Sequence, residues 1–232
     1  GLPAPHVVAR PESGFDPVFE AIAHGLRERG VRAELGARVE SVARDGAGFV
    51  VTADGREIGC DAVVSTIPLP VMLRLAGMEP EMRFDSLPLL SLFYRGRVKP
   101  RAPLLYNFSE TGQWKRITVF SGYYGRHDGR DYLTVEVSAR DTSPAALERA
   151  RDEFERHAEA LGMFESPPER LGEHLTANAY PVFRLGDPAR VEKERQKLEA
   201  FGIRLLGRQG SFEYLSSNAA AQRARRVAAG VG

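Results

Sequence analysis

The sequence is short of the residues that build covalent or metal-held frameworks. Its 232 residues include one cysteine, Cys60, which excludes a disulfide scaffold and any multi-cysteine zinc site. The five histidines, His6, His24, His127, His157 and His174, have no His-x-x-x-His spacing, so no metal centre is expected. No apolar run approaches about 18 residues, so no membrane span is expected. An excess of one charge is also missing. Lys plus Arg number 32 against 31 Asp plus Glu, a net charge of +1. That removes the general electrostatic pull of a nucleic-acid binder. There is neither a P-loop nor a Gly-x-Ser-x-Gly nucleophile elbow. The chain opens on Gly1 with no secretory-type segment, which sets the expectation of a cytoplasmic protein. Such a start fits a processed terminus, a tag remnant or a piece of a longer protein.

What is present is ordinary globular material, 43% hydrophobic and 27% charged. His6 to Ala9 reads as a short strand. Pro11 to Phe15 is a turn, and Asp16-Pro17 opens a helix with Asp16 as its cap. Phe19, Ile22, Ala23 and Leu26 recur at helical spacing, and Gly30 closes the helix. Val31 to Leu35, Arg38 to Ala43 and Phe49 to Ala53 follow as strand candidates, with turns at Asp45-Gly46 and Asp54-Gly55. Ala62 to Ser65 is a continuous apolar run, as in a strand buried on both faces. Further strand-like runs are Leu89 to Tyr94, Leu104 to Phe108, Lys115 to Phe120 and Tyr132 to Val137. Ser143-Pro144 starts a helix striped by Leu147, Ala150, Phe154, Ala158 and Leu161. His174 to Ala179 is another strand candidate, and Asp187-Pro188 begins a helix that ends at Gly202. Ile203 to Leu206 leads through a glycine loop, Gly207 to Ser211, to a last alanine-rich helix from about Ser217. On that helix Arg223, Arg225 and Arg226 read as a solvated face.

This order implies an α/β plus α+β chain in two parts. Residues 1–83 with 183–232 form an α/β part, and residues 84–182 form a β-rich α+β part. The chemistry concentrates at the C-terminal strand, loop and helix. Glycines there allow a close approach of backbone to a ligand. The helix N-terminus favours an anion, and Arg208 offers a guanidinium to a phosphate. A cap and a glycine turn without any ligand is the ordinary alternative. Trp114-Lys115-Arg116 lies on a strand whose alternation would aim Trp114 and Arg116 to one face. A tryptophan and a guanidinium on one face suit a nucleotide or sugar phosphate. A core tryptophan beside a surface arginine is the competing reading.

The string Gly207-Arg208-x-Gly210-x-Phe212-x-Tyr214-Leu215 resembles the C-terminal flavin loop of the UDP-galactopyranose mutases and their amine oxidase and protoporphyrinogen oxidase relatives. Four other segments resemble the same superfamily in the same order. They are Pro11-Glu12-Ser13-Gly14-Phe15, Gly36 to Val42, Asp61 to Pro68, and Ala179-Tyr180-Pro181-Val182. The resemblance implies a partial FAD-linked reductase-type fold, with part of a dinucleotide-binding layer and a β-rich substrate layer. It implies FAD contacts at Val39, Thr66, Pro68, Gly207, Arg208, Ser216, Ser217 and Asn218. It implies substrate contacts at Arg116, Tyr180 and Tyr214, and assigns no catalytic residue.

The chain departs from that pattern in two places. It has no Gly-x-Gly-x-x-Gly unit, so the part that would hold the pyrophosphate is absent and FAD need not bind this chain alone. Ser216-Ser217 also stands where the mutases carry Asp-Met. The expected activity is that of the C-terminal part of a flavin-dependent oxidoreductase or mutase, acting on a small polar or nucleotide-sugar-like substrate. The alternative is a binding module that homo-oligomerises or needs a companion chain carrying the dinucleotide-binding unit. Neither nucleic acid nor membrane is expected as a partner.

Overall fold

The computed structural model describes residues 11–229. The strand expected at His6 to Ala9 lies outside them. Helix α1 spans Asp16–Glu28, with Pro17 in its first turn. Asp16 is the first helical residue and not the cap; Phe15 holds that place, and its carbonyl accepts the N–H groups of Val18 and Phe19. Gly30, at φ +80°, ends the helix. The run from Val31 to Leu35 forms no strand. Extended backbone becomes a strand only where a neighbour shares its hydrogen bonds, and none does so among the described residues.

A three-stranded antiparallel meander follows: β1 Val39–Asp45, β2 Gly48–Ala53 and β3 Arg56–Cys60. Asp54 and Gly55 both take positive φ at the β2–β3 turn, as a two-residue hairpin loop requires. Strand β4, Val63–Ser65, then leads into the short helix α2, Leu69–Leu75. Sequence reading missed α2 because Pro68 and Pro70 look like punctuation. Pro68 is in fact its cap, and Leu69, Met72 and Leu73 are fully buried.

The middle of the chain forms a five-stranded antiparallel sheet. Its strands are β5 Asp85–Gly96, β6 Leu104–Tyr106, β7 Trp114–Val119, β8 Asp131–Ser138 and β9 Glu169–Val182, in the order β6-β7-β8-β5-β9. A one-turn helix, α3 Ser121–Tyr124, links β7 to β8, and helix α4, Pro144–Ala160, packs on the sheet. Ser143 caps α4 through its side chain. Ala150, Phe154 and Ala158 of the expected stripe are buried against Leu92, Tyr94, Ile117, Val135 and Val137. Leu161, past the helix end, is exposed. Strand β8 alternates strictly, so Leu133, Val135 and Val137 face α4 while Glu136 points to the opposite face.

The chain then returns to the first region. Helix α5, Asp187–Phe201, closes on Gly202 at φ +97° and feeds β10, Ile203–Leu205. Strand β10 pairs in parallel with β4, and these two strands form a sheet of their own. The expectation that Ala62 to Ser65 is buried on both faces is therefore corrected. Among the described residues strand β4 has one paired neighbour, and Val64 is 42% exposed. Residues 207–210 are not a loop but one helical turn, α6 Gly207–Gly210, followed by helix α7, Ser217–Ala229. A second core joins Val42, Phe49, Leu69, Met72, Leu73, Val191, Leu198, Ile203 and Phe212. Of the terminal arginines read as solvated, Arg223 pairs with Glu213, which Arg195 of α5 also contacts at 3.0 Å. No helix among the described residues is long and apolar enough to cross a membrane.

Candidate functional site

A cleft of about 670 Å³ opens on the face of the five-stranded sheet opposite α4. Leu87 forms part of its floor, and Arg116 and Glu136 lie within it. Tyr106 and Phe108 stand on one wall, Tyr180 and Tyr214 on the other. The expected shared face of Trp114 and Arg116 does not exist, because a β-bulge intervenes. Trp114 pairs with Val137 and Arg116 with Glu136, so two residues of β7 oppose one of β8. The bulge turns Trp114 into the core, 5% exposed, where its indole N–H donates to His157 Nδ1 at 2.9 Å. Arg116 stays on the cleft side, ion-paired with Glu136. Burial works against the guanidinium, but Glu136 and then Tyr106 outweigh it and raise its pKa, so it stays charged.

The structure places Arg208 behind the second wall of the cleft. Its guanidinium donates to the Leu215 carbonyl at 2.7 and 3.0 Å. It lies over the rings of Tyr180 and Tyr214, 4.9 and 5.2 Å from their centroids. The two rings are near parallel, at 22° with centroids 5.9 Å apart. Arg208 thus joins the two residues assigned to substrate and orders the wall they form. Lys115 Nζ lies 5.3 Å from the Tyr180 ring centre. Gln209 ties α6 to β9, donating from Nε2 to the carbonyls of Asn178 and Ala179.

The other residues assigned to cofactor do not converge on this cleft. Gly207 sits at φ +82° with open space around it. Gly210 is glycine for a different reason. A Cβ there would stand 2.8 Å from the Ser65 carbonyl and 3.1 Å from Thr66 Cα, so α6 and the end of β4 touch backbone to backbone. Thr66 is exposed beside that contact. Ser216 caps α7, its hydroxyl accepting the Ala219 N–H at 3.3 Å, and Ser217 and Asn218 are exposed in the first turn. Pro68 lines a separate cavity of about 280 Å³ with Val71, Phe84, Gln209 and Phe212. Val39 packs on the second core. No group of three or more His, Cys, Asp or Glu that could hold a metal occurs among the described residues.

Sequence reading missed Tyr106, Phe108, Lys115, Glu136 and Gln209. For three of them a signal was available. Tyr106 and Phe108 stand two apart on a strand-like run, and Glu136 is the polar partner in an alternating one.

These residues fit one side of a flavin. Open space at Gly207, the exposed first turn of α7 and the close packing of α6 on β4 offer a flat ring a backbone surface. On the same turn the buried Oε1 of Gln209 has no hydrogen-bond partner among the described residues. For the pyrophosphate the chain has no glycine-rich fingerprint.

Comparison with known proteins agrees on the family. Residues 5–176 match the flavin containing amine oxidoreductases, and the chain belongs to that family. Among curated proteins, none matches this chain. Among solved structures it is similar to a reduced UDP-galactopyranose mutase, at 21% identity and a TM-score of 0.71, over 87% of this chain and 46% of that one. It is similar to a CLA-producing fatty acid isomerase from P. acnes, at 14% identity and 0.66, over 92% and 51%. A putrescine oxidase bound to putrescine follows, at 16% and 0.62, over 94% and 53%. The chain thus spans about half the length of these structures. At such identities they establish the fold, a mixed α/β chain with antiparallel sheets matching part of an FAD-linked oxidoreductase.

Proposed function

We propose that this chain is the substrate-bearing part of a flavin-dependent oxidoreductase or mutase acting on a small polar or nucleotide-sugar-like substrate. One observation carries the reading. Arg208 holds Tyr180 and Tyr214 as a wall of a cleft that also contains Arg116 and Lys115. Residues 84–182 supply the sheet side of the cleft, and residues 1–83 with 183–232 the flavin side. Gly207, Ser216, Ser217 and Asn218 would hold the ring edge, Thr66 and Pro68 its flank, and Val39 the far end of FAD. When bound, the flavin supplies the capacity to take up and return electrons.

The chain's own residues have defined tasks. Arg116 anchors negative charge on the substrate, with Glu136 fixing its direction. Tyr180 and Tyr214 present rings and hydroxyls to a polar ligand. The N-terminus of α7 favours negative charge beside it. With uridine diphosphate as probe, Arg116→Ala is expected to raise Kd about tenfold or more. A charge-assisted contact to phosphate is worth about 1.5–3 kcal/mol. Calorimetric titration reads this, and an unchanged Kd removes Arg116 from the site.

A second reading has its own support. Phe15 at the cap of α1 and Phe19 and Ile22 on it are each more than half exposed along one side, and among the described residues one edge of β4 is unpaired. Such surfaces suit a companion segment or a second copy of the chain. Under this reading Phe19→Glu with Ile22→Glu abolishes an assembly seen by light scattering. A wild-type chain that stays monomeric and binds no added dinucleotide-binding unit contradicts it.

A further inference from the structure

We infer that Tyr106 and Phe108 form a preordered aromatic rim that selects substrates carrying a flat unsaturated ring next to their anionic group. The inference rests on the cleft being the substrate site and adds what that site discriminates. Leu105 packs on the core, so Tyr106 faces the other way, onto the cleft, and Phe108 lies two residues further on. The two rings are 27° from parallel with centroids 6.1 Å apart, and they are 53% and 93% exposed.

A single exposed phenylalanine means little. What distinguishes this one is its support. Asn107, between the two aromatics, donates from Nδ2 to the carbonyls of Thr111, Gly112 and Trp114 at 3.0, 3.2 and 3.1 Å. Its Oδ1 accepts the N–H and the hydroxyl of Ser109 at 3.0 and 2.6 Å. Its backbone N–H donates to the Lys115 carbonyl at 3.0 Å. The far end of the same loop is fixed to α4 through Trp114 and His157. Gly112 lies so close beneath them that a Cβ would stand 2.7 Å from His157 Nδ1. A loop held this way presents its apolar rings in one place, so a bound ring would order little that is not already ordered.

The register adds the chemistry. Tyr106 pairs directly with Arg116 across the β6–β7 ladder. Ring and guanidinium are therefore cross-strand neighbours, and a ligand touching both carries its ring within a few bonds of its charge. The cleft lining holds Lys115 and Arg116 against the single carboxylate of Glu136, which assigns that charge as negative.

The experiment uses two phosphate monoesters of the same charge and carbon count, phenyl phosphate and cyclohexyl phosphate, titrated into the purified chain by NMR. The wild type is expected to prefer phenyl phosphate. Phe108→Leu and Tyr106→Leu keep apolar area but remove a ring. Each is expected to weaken phenyl phosphate roughly fivefold, the scale of an aromatic contact, while cyclohexyl phosphate changes less than about twofold. Arg116→Ala is expected to weaken both probes alike. A wild type without preference, or leucine variants that move both probes equally or neither, overturns the rim. A phenyl preference that Phe108→Leu abolishes while Arg116→Ala changes nothing upholds the rim and contradicts the anion site instead.

Discussion

Glu194→Ala is expected to lower the unfolding free energy by about 3 kcal/mol, the scale of breaking a buried charge pair. Its side chain is 3% exposed on α5, between Val191 and Leu198 of the second core. It accepts the Glu81 N–H at 2.6 Å and Lys197 Nζ at 3.0 Å. Alanine leaves that N–H without its acceptor and opens a void beside Leu198. Lys197 keeps the exposed carboxylate of Glu81, 2.7 Å away. Urea unfolding read by circular dichroism measures the loss. Glu194→Gln, which keeps the shape and an acceptor, is expected to lose less than half as much. Equal stability of alanine variant and wild type would mean that the pair does not bind residues 79–82 to α5.

Asp131→Asn is expected to cost about 2 kcal/mol at neutral pH and less in acid. Burial alone would raise the pKa of this carboxyl. Hydrogen bonds from Arg126 at 2.9 Å, Ser121 at 2.6 Å and the Val98 N–H at 2.8 Å outweigh burial and hold it below the ordinary range. A depressed folded pKa contributes stability that is complete above the unfolded value, about 3.9, and is lost as pH falls through the folded one. The gap between wild type and Asp131→Asn is therefore expected to narrow below about pH 4. A gap that stays constant down to pH 2 would show that the carboxyl makes no charged contribution there.

Particular residues explain how much could be read in advance. The stripe of α4 was legible because Leu147, Ala150, Phe154 and Ala158 obey one helical period and Ser143 is a strong cap. The segment from Gly207 was legible as the link between a strand and the last helix because glycines punctuate it, although its form as a helical turn was not. The fate of Trp114 was hidden, since a single bulged residue reverses which face a side chain takes. Arg208 was visible as a cation but not as a brace. Its partners are a carbonyl seven residues on and two rings brought together by tertiary packing. Tyr106 and Phe108 looked like strand interior, and only the surrounding fold leaves them uncovered. Glu194 carried an unread signal, a carboxylate on the apolar stripe between Val191 and Leu198.

The most direct test of the account is a titration of the purified chain with riboflavin and with FAD, followed by quenching of flavin fluorescence. On the proposed reading Gly207 and the first turn of α7 meet the flavin ring, while the sequence carries no glycine-rich fingerprint for the pyrophosphate. The expected result is saturable quenching of both ligands with dissociation constants within a few-fold of each other, weakened when Gly207 is replaced by valine. Quenching of neither ligand, or an FAD affinity orders of magnitude above that of riboflavin, would contradict it.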